Sequence, residues 1–261
     1  MYRRLTLVLL TGAALLAAPS TASAQADVEA VWSFSGGQVA IQAQSDGSFM
    51  GTVIRQTQFA ECPHPVGEQM WTQMRLQPDG QYHGEHQWFN VPACTYMSPK
   101  GRTAWRVLTR PDGAKFLRVC FGKPETGTQP SIAPDGTATN DEQGCNDSDL
   151  VSPLPQSKPA ISTISNLPSA RRCRSKRTFR IRLKEPPGDA LKEARVYVNN
   201  KRVGPVRVGA RLTAPVDLRN LPRGRYTVKI TAKTVLGKTI SGTRRYRTCA
   251  RKRSGSNRSP V

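Results

Sequence analysis

Acid is almost missing from the second part of this chain. From residue 161 to residue 261 there are four carboxylates, Glu185, Asp189, Glu193 and Asp217, beside 27 lysines and arginines. So few acids cannot neutralise those cations internally, and the imbalance points to a negative partner outside the chain. An arginine-rich genome would raise the basic count everywhere, yet residues 1–160 carry 12 basic residues against 14 acidic ones. Histidine is scarce as well: His64, His83 and His86 are the three in the chain. No C-x-x-C pair occurs, which argues against zinc-ribbon and thioredoxin-like chemistry. There is no G-x-S-x-G, no P-loop and no G-x-G-x-x-G. Nucleophile elbow, phosphate cradle and dinucleotide fingerprint are therefore all missing, and no cofactor or metal is expected. Apart from one short N-terminal run, no stretch is apolar enough to span a bilayer.

That run belongs to MYRRLTLVLLTGAALLAAPSTASA. Arg3 and Arg4 precede an apolar core from Leu5 to Ala18, and Ala22 and Ala24 give the small-x-small pattern of signal peptidase. The segment reads as a secretory signal peptide cut after Ala24, and the mature protein as secreted or associated with the cell envelope. Export gives the cysteines meaning. Six of them in an oxidising compartment suggest three disulfides. Cys173 and Cys249 bracket the basic segment and are expected to pair, closing a loop of roughly 75 residues worth about 4 kcal/mol in the chain-entropy model. Cys62 with Cys94 and Cys120 with Cys145 are the expected remaining pairs, other pairings being open.

Four Asp-Gly pairs punctuate the first part: Asp46–Gly47, Asp79–Gly80, Asp112–Gly113 and Asp135–Gly136. Asp-Gly between apolar runs signals a hairpin, since both residues tolerate the positive φ of a tight turn. Three hairpins follow: QVAIQA with SFMGTVI, MWTQMRLQ with QYHGEHQWF, and TAWRVLTR with AKFLRVCF. A meander of six to eight strands should close into a small barrel or fold into a sandwich. The stretch GQYHGEHQWFN concentrates histidines, but strand alternation puts His83 and His86 on opposite faces. They cannot share a metal there; Tyr82, His86 and Trp88 should pack inward while His83 and Glu85 face water. His64 lies between two prolines beside Cys62, in a pinned loop, where Glu61 or Glu68 could make it a general base. No nucleophile accompanies it. The acidic stretch DGTATNDEQGCNDSDL lacks EF-hand spacing and reads as a solvated loop tethered at Cys145.

VWSFSGGQVAIQ, LQPDGQYHGEHQWFN and FLRVCFG resemble a family of small exported bacterial proteins of unknown function. That family has an opening Trp strand, an L-x-P-D-G-x-W-x-G hairpin and a late strand ending in Gly. The resemblance covers Val31 to Gly122. Tyr82 stands where the family has Trp, and the cysteine-containing loops differ. It implies a lipocalin-type barrel and at most a small apolar-ligand pocket, with no catalytic residue to transfer.

In the basic part, RTFRIRLKEP and RYTVKITAK alternate apolar with cationic residues, as sandwich strands do. ARVYVNNKRV reads as a hairpin turning at Asn199–Asn200. LTAPVDLRNLPRGRYTVKI resembles the penultimate strands of bacterial immunoglobulin-like modules, over Ile161 to Cys249. This implies about seven strands and a binding or spacer role. Antibody domains place their cysteines differently; here Cys173 and Cys249 lie at the ends.

The expectation is an all-β chain, a small β-barrel or sandwich domain followed by an immunoglobulin-like sandwich. Its parts are a signal peptide (1–24), a disulfide-braced domain (25–152), a proline-rich linker (153–160), a basic domain (161–250) and a disordered basic tail (251–261). The functional expectation is a non-enzymatic exported protein adhering to anionic cell-wall or envelope polymer. Arg180, Arg182, Lys184, Arg225, Lys229 and Lys233 are the anion-binding candidates. Their spread over strands and loops, without a groove of stacking aromatics, argues against sequence-specific nucleic-acid reading. The alternative is a carrier of a small apolar ligand, with Trp71, His86, Trp88 and Trp105 as pocket candidates. A hydrolase using His64 or His86 is the third reading.

Overall fold

The computed structural model describes residues 27–59, 61–155, 160–165, 167–173, 178–203, 212–217 and 224–249. The expected signal peptide, the middle of the linker and the basic tail lie outside them. Eight antiparallel strands close into a barrel: β1 (Ala30–Phe34), β2 (Gly37–Ala43), β3 (Phe49–Arg55), β4 (Gln69–Leu76), β5 (Tyr82–His86), β6 (Gly101–Thr109), β7 (Lys115–Phe121) and β8 (Cys145–Pro153). Each strand pairs with its successor, and β8 returns to β1 through Ala30↔Pro153 and Trp32↔Leu150. Closure removes the open edges that a flat meander would expose.

The Asp-Gly pairs form the turns, by a division of labour that differs from two residues both at positive φ. Only the glycines take that conformation, with φ of 78° at Gly47, 86° at Gly80, 86° at Gly113 and 90° at Gly136. Each aspartate instead accepts the backbone N–H two residues on: Asp46 from Ser48 at 3.0 Å, Asp79 from Gln81 at 3.2 Å, Asp112 from Ala114 at 2.9 Å and Asp135 from Thr137 at 2.8 Å. The carboxylate satisfies a turn donor, and the glycine absorbs the left-handed step.

Large side chains fill the barrel. Trp32, Trp71, Trp105, Phe34, Phe121, Met70 and Met74 are all essentially inaccessible to solvent. Room for them comes from glycines on facing strands. A Cβ at Gly51 would meet Trp71 Cε3 at 2.5 Å, and one at Gly84 would come within 2.8 Å of the Met74 backbone.

The segment expected to be an acidic loop is in part the closing strand β8. Its inward apolar positions are missing, so alternation could not reveal it; Ser148 is the buried position in its middle. What holds it is polar. Asp147 sits directly opposite Arg118 and accepts two guanidinium hydrogen bonds at 2.7 and 2.6 Å. Asp149 pairs with Arg110 at 2.7 Å, and Cys145 is bonded to Cys120. Cys62–Cys94 and Cys173–Cys249 are the other two disulfides, and no cysteine is free.

The second unit follows a single helical turn, Ile161–Ile164. Its strands are β9 (Thr178–Leu183), β10 (Leu191–Val198), β11 (Lys201–Arg202), β12 (Leu212–Asp217), β13 (Arg225–Thr234) and β14 (Thr239–Arg247). β9 pairs with β12, while β11, β10, β13 and β14 form a four-stranded sheet in that order. Asn199 and Asn200 turn the β10–β11 hairpin with φ of 46° and 64°, the conformation that two-residue hairpins require. Ile181 and Leu183 of β9 pack on Val196, Val228, Ile230 and Ile240 of the larger sheet, giving one core.

The two units touch through a small apolar cluster. Val31, Ala40 and Ile54 on the outside of the barrel meet Leu154 and Ala190, with Val235 and Leu236 against them. Lys238 adds a hydrogen bond from Nζ to the Pro155 carbonyl at 2.5 Å.

Candidate functional site

Strand alternation in β10, β13 and β14 sends one set of side chains into the core and the other to the outside of the four-stranded sheet. The buried set is apolar: Val196, Val198, Tyr226, Val228, Ile230, Ala232, Ile240 and Tyr246. The opposite face carries Arg195 on β10, Arg225, Lys229 and Lys233 on β13, and Arg245 and Arg247 on β14, every one exposed. Register places Arg202 opposite Tyr197 and Tyr197 opposite Lys229, so Arg202 joins the same face. Arg225 stands directly opposite Arg247. Neighbouring strands are about 4.8 Å apart and alternate residues about 7 Å apart along a strand, so the cations form a grid. Among the described residues one carboxylate reaches this face. Glu193 pairs with Arg195 at 3.5 Å and Lys233 at 3.7 Å. Tyr197 lies within the grid beside Arg195, the one aromatic side chain among the outward residues of these paired strands.

Three of the six anion-binding candidates, Arg225, Lys229 and Lys233, are thus brought together. Arg182 and Lys184 are exposed at β9, on the other sheet, while Ile181 and Leu183 beside them face the core. The side chain of Arg180 lies outside the described residues. The sequence reading spread the cations over strands and loops; pairing gathers seven of them on one face. Arg195, Arg202, Arg245 and Arg247 escaped it. Their alternation with buried residues was visible in the chain, but the register that sets β10 and β14 beside β13 was not. Not every cation belongs to the grid. Arg244 points away from it and donates to the carbonyls of Leu167 and Pro168 at 2.7 and 3.0 Å.

In the barrel, the pocket candidates mostly touch one another. Trp71 meets Trp105 edge-on at 5.1 Å between ring centroids, and His86 meets Trp88 at 4.8 Å and Phe121 at 4.8 Å. Trp71, Trp105 and His86 are fully buried, whereas Trp88 is half-buried and lines a cavity at the end of the barrel. Burial holds the His86 pKa well below the usual imidazole value, helped by the neighbouring His64 ring and the Lys100 charge. His83 and Glu85 point the other way, both half-buried. Burial lowers the His83 pKa as well.

His64 differs from its expected setting. It sits in a short strand, Cys62–His64, paired with Thr57–Phe59, and is 1% exposed. Its Nδ1 lies 3.0 Å from Oε1 of Glu68, so Glu68 rather than Glu61 is the carboxylate partner. The ring stacks obliquely near Phe89 at 4.7 Å and near His86 at 5.7 Å. Among the described residues, no group of three or more histidines, cysteines and carboxylates could hold a metal ion. No described helix is long and apolar enough to cross a membrane. Comparison of the chain with models of known protein families and with curated proteins finds no match.

Proposed function

We propose that the chain is an exported, non-enzymatic protein that adheres to anionic cell-envelope polymer through the outer face of its four-stranded sheet. The observation that carries this reading is the cross-strand pair Arg225 and Arg247 within a seven-cation face bearing one carboxylate. Like charges directly opposite destabilise a sheet. A polyanion laid across the face would relieve that repulsion, and guanidinium forks suit phosphate and carboxylate groups alike. Three disulfides fit an oxidising compartment where such polymers are met. The strand pairing supports the likeness to immunoglobulin-like modules: β9 with β12 in one sheet, and β10, β13 and β14 in the other. Such a module offers an extended outer sheet face on which a polymer can lie.

The test is retention of the full-length, disulfide-intact protein on purified anionic cell-wall polymer, measured against salt. Affinity should fall steeply with ionic strength, and Arg225→Glu with Arg247→Glu together should weaken it at least tenfold. The control pair Arg55→Glu with Arg75→Glu on the barrel should bind as the unsubstituted protein does. Binding that ignores salt, or that survives the β13–β14 reversal, would overturn the proposal.

A further inference from the structure

The histidine–carboxylate pair of the barrel is not used by the cationic face, and it borders a cavity. The cavity has a volume of about 240 Å³ and is lined by Trp88, just beyond the end of β5. Its wall is mainly apolar: Trp88, Phe89, Val91 and Met97, with His64 as the buried polar side chain and Glu125 exposed at the rim. The Cys62–Cys94 disulfide braces the same wall from the strand that carries His64.

From this geometry we infer that the cavity is a binding site for a single-ring aromatic molecule bearing a hydroxyl group. Size comes first. The volume lies below the roughly 300–1,000 Å³ of sites that enclose drug-sized ligands, so one ring with a small substituent fits. The walls favour an aromatic ring, since Trp88 and Phe89 offer edges and faces for offset or edge-on contact. The polar group follows from His64. Glu68 is 6% exposed and its Oε1 lies 3.0 Å from Nδ1 of His64, which engages that nitrogen and leaves Nε2 as the ring's other hydrogen-bonding position. A ligand hydroxyl, which can donate or accept, extends that chain of hydrogen bonds at Nε2, whereas a hydrocarbon of the same size covers the nitrogen and offers it no partner. The site therefore separates a phenol from its hydroxyl-free analogue. It is distinct from the barrel interior, where Trp71 and Trp105 are packed against each other.

The experiment titrates 4-methylphenol and toluene into the full-length, disulfide-intact protein and follows the indole and imidazole resonances by NMR. The expected result is saturable binding of 4-methylphenol that moves the Trp88 and His64 signals while leaving Trp32 largely in place, with toluene at least tenfold weaker. His64→Gln should remove the preference for the hydroxyl. Because His64 is buried and that variant risks misfolding, Val91→Trp serves as a second test. Val91 is 49% exposed at the cavity, so an indole there blocks entry without disturbing the core and should abolish binding. Leu150→Trp, at a 44% exposed barrel position, should leave it intact. No saturable 4-methylphenol binding at millimolar concentration, equal affinity for the two ligands, or binding that persists in Val91→Trp would each overturn the inference.

Discussion

His86 shows how a polar residue can serve an aromatic core. Its ring meets Trp88, Phe121 and His64 with no exposed surface, so the native barrel holds it neutral. An unfolded chain takes up a proton at this ring below about pH 6.5, and the native state refuses it until far lower pH. Unfolded molecules then bind more protons, so stability falls as pH drops from about 6.5 downward. Each such proton contributes a slope of up to about 1.4 kcal/mol per pH unit. Urea unfolding between pH 7.5 and 5, followed by tryptophan fluorescence, should show this loss in the wild-type barrel and a clearly smaller slope in His86→Leu. All four tryptophans, Trp32, Trp71, Trp88 and Trp105, lie in the barrel part of the chain, so the probe reports on that unit alone. The inward placement of Tyr82 and His86 was legible from alternation. The partner of His64 was not, because Glu61 and Glu68 lie three and four residues away in sequence and only the Cys62–His64 ribbon decides between them.

At the level of single elements, the barrel is built from repeated turn chemistry, and the turns can be taken apart. Asp112 accepts one hydrogen bond from the Ala114 N–H at 2.9 Å, and Gly113 supplies a φ of 86°. Gly113→Ala forces a Cβ into the left-handed region and should cost about 1–2 kcal/mol. Asp112→Ala loses one exposed hydrogen bond and should cost about 0.5–1 kcal/mol. Denaturant unfolding of the two variants should rank them in that order, and the reverse order would contradict the division of labour. The hairpins were readable because Asp-Gly stands between alternating runs. Strand β8 was hidden because its ladder is secured by Arg118–Asp147, Arg110–Asp149 and a disulfide, none of which leaves an apolar pattern.

For the whole molecule, the decisive feature is how the two units meet. Asp189 is buried at that junction, where its Oδ1 accepts the N–H of Ala190 at 2.8 Å and of Leu236 at 3.3 Å. Burial pushes its pKa up, outweighing these hydrogen bonds, the Thr234 contact and the nearby Lys238 charge. A carboxyl whose folded pKa is raised favours the native state fully below its unfolded pKa, and that contribution is lost as pH rises through the folded value. Asp189→Asn keeps the accepting oxygen and removes the charge. Calorimetry should therefore find the second unit melting higher in the variant at pH 7, with the difference vanishing near pH 3.

The all-β class, the hairpin positions and the concentration of cations beyond residue 160 are written in the order of the residues. These rest on local physics: strand alternation, turn donors and composition. The closure of β8 onto β1, the joining of His64 to Glu68 and the assembly of seven cations on one face arise only in the folded chain. Each of those depends on which strands lie side by side, and long-range pairing leaves little trace in any local window of residues.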